Sequence, residues 1–148
     1  MPTPLRLLLI EDSTDDELIM LYALREAGFA VEHRRIETEA ELRAALAEGH
    51  WQAVISDHNL PNFNGLTALK IVRDWDKHVP FLFVSGIVRD DVGIQAMAGG
   101  ANDYLLKDNL ARLGPALARE LGEAQSRQVG RINAAHYENI LNNTIDAI

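Results

Sequence analysis

The chain has 148 residues, the size of one domain, and 47% of them are hydrophobic against 24% charged, enough for an independent core and too apolar for a disordered chain. Fourteen basic residues against 22 acidic ones give a net charge of −8, which argues against a surface built for nucleic acid or anionic lipid. The absence of cysteine excludes disulfide frameworks, thiolate nucleophiles and Cys-based zinc sites, and the longest apolar run, Leu18 to Leu24, is too short to span a bilayer. With no signal-peptide pattern at the N-terminus, the expectation is a soluble cytoplasmic protein with no membrane partner.

Leu5 to Ile10 is short, apolar and predicts a strand; Ser13-Thr14 can cap the helix predicted over Asp15 to Ala27, with Gly28 placed to end it. The pattern recurs in kind with a strand at Val31 to Ile36 and a helix from Thr38 to Glu48, Thr38 capping, Glu41 three residues on and Gly49 stopping it. Next come a strand at Trp51 to Ser56, a loop at Asp57 to Asn64, and a helix at Gly65 to Trp75. They are followed by a strand at Pro80 to Val84, a loop at Ser85 to Asp90, a helix at Asp91 to Ala98 and a last strand at Asp103 to Leu106. Asp108 is then expected to cap a long helix with Leu110, Leu113, Leu117, Leu121 and Ala124 on one face.

Five strands alternating with five helices, the last extended, predict an α/β fold with a doubly wound parallel sheet. Strand segments such as Leu7 to Ile10 and Phe81 to Val84 are apolar without alternation, as strands covered on both faces are. In such folds functional groups collect at the carboxyl ends of the strands.

Glu11 and Asp12 follow the first strand, Asp57 the third, Ser85 the fourth and Lys107 the fifth; each is the polar residue at which an apolar run stops. Carboxylates gathered from adjacent strands repel one another unless a cation neutralises them, and hard oxygen ligands in a small open corner suit Mg²⁺. A lysine and a hydroxyl opposite complete a site for a phosphoryl group, with the Asp57 carboxylate as nucleophile. Taken singly, each residue has an ordinary explanation: Glu11 and Asp12 as helix caps, Asp57 as a turn residue, Ser85 as a loop hydroxyl, Lys107 as a solvated charge. Their convergence carries the functional reading.

Residues 4–125 or so resemble the receiver domain of bacterial two-component response regulators. The resemblance rests on Leu8-Leu9-Ile10-Glu11-Asp12, on Asp57-His58-Asn59-Leu60-Pro61 with Gly65 shortly after, on Phe83-Val84-Ser85-Gly86, and on the run from Gly100 to Lys107. It implies a flavodoxin-like sheet of order 2-1-3-4-5 in a receiver domain over residues 1–125. It further implies that Asp57 accepts a phosphoryl group from a histidine kinase or phosphotransfer protein, and that Glu11, Asp12, Asp57 and the backbone carbonyl of Asn59 hold Mg²⁺. Ser85 is then the switch hydroxyl, Lys107 the phosphoryl partner and Tyr104 the aromatic switch residue, in a signalling protein whose only catalysis is its own phosphorylation and dephosphorylation. His58, Asn59 and Ile87 stand where side chains would shield or position the hydrolytic water.

One departure is Asp108, where receivers commonly have a cis proline. A non-proline cis bond costs about 2.5–4 kcal/mol, so the Lys107–Asp108 peptide is expected to be trans. The helix beginning near Asp108 is expected to run on past Arg127, through Gly122 and Gly130, each weakening it by about 1 kcal/mol, and beyond it Tyr137, Ile140, Leu141, Ile145 and Ile148 form an apolar pattern. Residues 126–148 are therefore expected to be a helical linker and the start of a following domain, weakly similar to a PAS sensor domain, with a helical tail or dimerising coiled coil as the other reading. Output modules of kinase or cyclic-dinucleotide type would follow it. Asp90, Asp91, Arg112 and Arg119 are candidate charged contacts of a homodimer, with a solvated face as the other reading. A phosphatase of the haloacid dehalogenase type would want an aspartate at Asn59, and a flavin carrier's phosphate would be repelled by Glu11 and Asp12. The remaining alternative is a receiver that binds partners without being phosphorylated.

Overall fold

The computed structural model describes residues 2–58, 60–61, 64–86 and 90–123. Five strands, β1 (Thr3–Ile10), β2 (Phe29–Ile36), β3 (Ala53–Asp57), β4 (Phe81–Ser85) and β5 (Asp103–Leu106), form one sheet in the order β2-β1-β3-β4-β5. All neighbours are parallel, with Leu7 opposite Ala53, Asp57 opposite Val84 and Ser85 opposite Leu106. Between them run α1 (Thr14–Glu26), α2 (Glu39–Glu48), α3 (Gly65–Trp75) and α4 (Asp90–Ala98), and a final helix, α5, occupies 113–123 of the described residues. This is the doubly wound, five-helix α/β architecture that the sequence predicts. The expected extension of the last helix, together with Ala124 and the whole of 126–148, lies outside the described residues.

The unbroken apolar strands are explained by two cores, one on each face of the sheet. Leu5, Leu7 and Leu9 point to one face, where Met20, Leu21 and Leu24 of α1 and Leu113, Ala116 and Leu117 of α5 cover them. Leu8 and Ile10 point to the other, against Leu42 and Leu46 of α2, Leu69 and Val72 of α3, and Ala96 of α4. Each fully buried side chain of this size contributes about 1.5–3 kcal/mol. The edge strand β2 differs: its inner residues alternate between half-buried and exposed, which is why Glu32, His33, Arg34 and Arg35 are tolerated there.

Local chemistry sets the helix starts. The Ser13 side chain accepts from the Asp16 backbone N–H, Thr38 from that of Glu41, and Asn64 from that of Leu66. The Thr38–Glu41 pair is reciprocal, because the Glu41 carboxylate also accepts from the Glu37 N–H and the Thr38 hydroxyl.

The last loop departs from expectation. Asp108 does not cap a helix: a 3₁₀ segment, Lys107–Arg112, starts one residue earlier with Leu106 in the capping position and no side-chain cap. Asn109, at φ −132° and ψ 52°, then breaks it before α5 begins. The chain must leave β5 with Lys107 aimed back at the sheet end, and a short kinked turn achieves this while leaving Asp108 in solvent. No cis peptide occurs among the described residues, so the Lys107–Asp108 bond is trans as expected.

Candidate functional site

Because every strand is parallel, the residues that end them share one edge of the sheet. Glu11 and Asp12 follow β1, Asp57 closes β3 beside it, Ser85 closes β4, and Lys107 follows β5. Glu11 is fully buried, Asp57 and Ser85 nearly so, and Asp12 is exposed. One carboxylate oxygen from each of Glu11, Asp12 and Asp57 lies within 4.8 Å of the others. The backbone fixes this corner: the Glu11 N–H donates to the Ile36 carbonyl at 3.1 Å, and the Arg35 guanidinium donates to the Glu11 carbonyl at 3.2 Å. Beneath Asp57, Ser56 Oγ donates to the Asp57 carbonyl at 2.8 Å, and α3 abuts the loop, with the Gly65 N–H donating to the His58 carbonyl.

Lys107 closes the pocket. Its Nζ lies 3.1 Å from Glu11 Oε1, 3.0 Å from Asp57 Oδ2 and 2.5 Å from Asp16 Oδ2. Burial pulls the lysine toward neutrality, but the hydrogen bonds to Asp16 and Asp57 and the Asp57 and Glu11 charges outweigh it and hold it protonated, above its ordinary range. Burial first, and then the Asp57 charge, push the Glu11 carboxyl up to about 8 despite Lys107. Asp16 moves the other way, held down chiefly by its hydrogen bond to Lys107.

The expected set of Glu11, Asp12, Asp57, Ser85 and Lys107 is therefore brought to one edge. The Asn59 carbonyl and Ile87 lie outside the described residues. Tyr104 is half-buried on β5, its ring turned in against Phe83 at 5.9 Å and His58 at 6.3 Å between centroids. Arg119, read as a dimer contact, is engaged within its own chain by Asp103 and Glu120.

Asp16 is the residue that sequence reasoning passes over. An acid three residues after a capping serine is the ordinary mark of a helix start, and only its place in α1, next to the end of β5, gives it a second partner.

The donor set fits a hard divalent cation. Glu11 Oε2 is buried without a hydrogen-bond partner, and an ion lacking preference for nitrogen or sulfur would satisfy it alongside Asp12 and Asp57. The residues are those of an acidic site compatible with Mg²⁺.

A 2-1-3-4-5 parallel sheet with an acidic corner closed by a lysine defines a flavodoxin-like α/β domain whose site lies at the carboxyl ends of its strands. The family profile of the response regulator receiver domain matches residues 7–118, and the chain belongs to that family. Receiver domains of this family are signalling switches of two-component systems rather than enzymes in the usual sense. The chain is 28% identical over 127 residues to the cell cycle transcriptional regulator CtrA of Caulobacter vibrioides, covering 82% of this chain and 54% of CtrA. The chain thus spans about half the length of that relative. Similarity to the chemotaxis protein CheY of Pseudomonas aeruginosa is 27% over 111 residues, 74% of this chain and 89% of CheY. Among solved structures, a CheY-like receiver domain protein of Methanospirillum hungatei superposes with a TM-score of 0.72 at 20% identity, covering 86% of this chain and 99% of that one. The receiver domain of the sensor histidine kinase PA1611 of Pseudomonas aeruginosa, solved with magnesium in its active-site cleft, gives 0.69 at 22% identity, covering 81% and 99%. Among the described residues no helix is long and apolar enough to cross a membrane.

Proposed function

We propose that this domain is the phosphoacceptor switch of a phosphorelay, with Asp57 as the acceptor. The observation that carries the reading is the Asp57 carboxylate, nearly buried at the sheet edge, with Lys107 Nζ 3.0 Å from Oδ2 and two further carboxylates beside it. An oxygen of Asp57 attacks the phosphorus of a phosphohistidine, forming the aspartyl P–O bond as the N–P bond breaks, with its electron pair leaving on the imidazole nitrogen. Lys107 and the Ser85 hydroxyl receive the phosphoryl oxygens, and Glu11, Asp12 and Asp57 would hold Mg²⁺, with the carbonyl of Asn59 as the further ligand that the family resemblance implies. The cation supplies neutralisation of the charge that develops on those oxygens.

The donor is a histidine kinase or phosphotransfer protein. In support, α1 presents Leu18, Ile19 and Tyr22 at 64%, 53% and 66% exposure, an apolar patch on the helix that begins two residues beyond Asp12. The receiver occupies residues 1–125. The transcriptional regulator CtrA, twice as long as its match to this chain, supports an arrangement of receiver plus output. Ser85 moves toward the new phosphoryl group, and the inward packing of Tyr104 against Phe83 and His58 is fixed in the phosphorylated state, remodelling the α4–β5–α5 face.

The test is the intact mass after incubation with phosphoramidate, with and without Mg²⁺, beside Asp57→Asn. One added phosphoryl group, lost in the variant and without Mg²⁺, is expected. No adduct, together with failure to bind beryllofluoride, favours a receiver that acts by partner binding alone.

A further inference from the structure

An ammonium has three N–H bonds, and in this pocket carboxylates take all three: Glu11, Asp57 and Asp16. The first two belong to the acidic corner itself. Asp16 comes from α1, is partly open to solvent, and makes the shortest contact of the three, at 2.5 Å. Its backbone N–H already donates to Ser13 Oγ, so the residue is fixed at the helix start while its side chain reaches across to the end of β5. A phosphoryl group on Asp57 brings extra negative charge and needs an N–H of Lys107. Glu11, Asp12, Asp16 and Asp57 put four carboxylates around that group, and the divalent cation offsets only part of their charge.

We infer that Asp16 is a positioning residue for this chemistry: it holds Lys107 toward α1 and competes with the phosphoryl group for the ammonium, so that it sets how tightly the phosphorylated pocket is held. The inference rests on the reading of Asp57 as acceptor. It also gives the pocket a direct mechanical link to α1, since any movement of Lys107 toward the phosphoryl oxygens loosens its hold on the first turn of that helix. Asp16 is thus placed to report the state of Asp57 to the helix that carries Leu18, Ile19 and Tyr22.

The experiment is a beryllofluoride titration of the whole chain at saturating Mg²⁺, followed by ¹⁹F NMR, for the wild type, Asp16→Asn, Asp16→Glu and Asp57→Asn. Asp16→Asn removes the competing charge at constant shape and is expected to bind on the order of fivefold more tightly, the scale of one partly exposed ion pair. Asp16→Glu keeps the charge and should stay at the wild-type affinity. A side chain that only helps to start α1 would change thermal unfolding and leave the beryllofluoride affinity where it was. Equal or weaker binding by Asp16→Asn overturns the inference. Should circular dichroism show that variant unfolded, Asp16→Ala is read by the same criterion. If the wild type binds no beryllofluoride, or Asp57→Asn binds it equally well, the acceptor reading itself has failed and the role of Asp16 falls with it.

Discussion

Glu11 makes the metal-free fold sensitive to pH. Its carboxyl titrates at about 8 in the folded chain against an ordinary 4.5, because burial and then Asp57 oppose its charge. Below pH 4.5 it is protonated whether the chain is folded or not, and it costs nothing. As the pH rises toward 8 the unfolded chain releases the proton while the folded one keeps it, so stability falls until both are ionised. Urea unfolding in chelator should therefore show the wild type losing stability between pH 5 and 8, and Glu11→Gln should flatten that loss and gain about 1–3 kcal/mol at pH 8. Tyr104 makes a second prediction at this scale: Tyr104→Ala should accept phosphoryl groups normally yet transmit no output, and normal output from the phosphorylated variant would remove the aromatic part of the mechanism. The candidate site was legible only as a set: Glu11, Asp12, Asp57, Ser85 and Lys107 each have an ordinary local explanation, and it is their recurrence at the ends of apolar runs that points to one edge. Asp16 was not legible, because an acid in a first helical turn already has a sufficient local reason.

At the level of elements, α3 is docked closely against the loop that follows β3. A Cβ added at Gly65 would lie 2.8 Å from Phe83 Cε1 and 3.0 Å from both the Asp57 carbonyl oxygen and the His58 Cα. Two of those neighbours are backbone and cannot swing away, so Gly65→Ala should destabilise the domain by about 1–3 kcal/mol, read by thermal unfolding. The exposed patch on α1 makes a different prediction. Leu18→Ser with Tyr22→Ser should slow transfer from a phosphorylated donor protein at least tenfold while leaving phosphorylation by phosphoramidate unchanged; equal slowing of both would place the defect in the pocket. Element types were readable from apolar runs and caps, but ends were not. The edge strand β2 starts at Phe29 rather than Val31, since parallel pairing of Thr3 with Phe29 extends the ladder regardless of side-chain pattern. The turn after β5 escaped prediction for a related reason: it is shaped by the need to aim Lys107 at Glu11 and Asp57, ninety-six and fifty residues away in sequence.

For the whole molecule, the strand order, the two cores and the acidic edge are one arrangement: a parallel sheet covered on both sides leaves its carboxyl ends as the place where charges from distant segments meet. Gathering carboxylates there is unfavourable without a counter-ion, so Mg²⁺ should stabilise the fold by mass action, by about 2.7 kcal/mol at a hundred times its dissociation constant. Thermal unfolding should move up with Mg²⁺ and return with chelator, and Asp57→Asn should blunt the response. The most direct measurement is reduction of the phosphorylated protein with borohydride, which converts an aspartyl phosphate to homoserine, followed by peptide mapping. The account predicts homoserine at position 57, formed only when Mg²⁺ was present during phosphorylation. Homoserine at Asp12 or Asp16, the corresponding reduced glutamate, 5-hydroxynorvaline, at Glu11, or neither in a protein that carries a phosphoryl group, would contradict it.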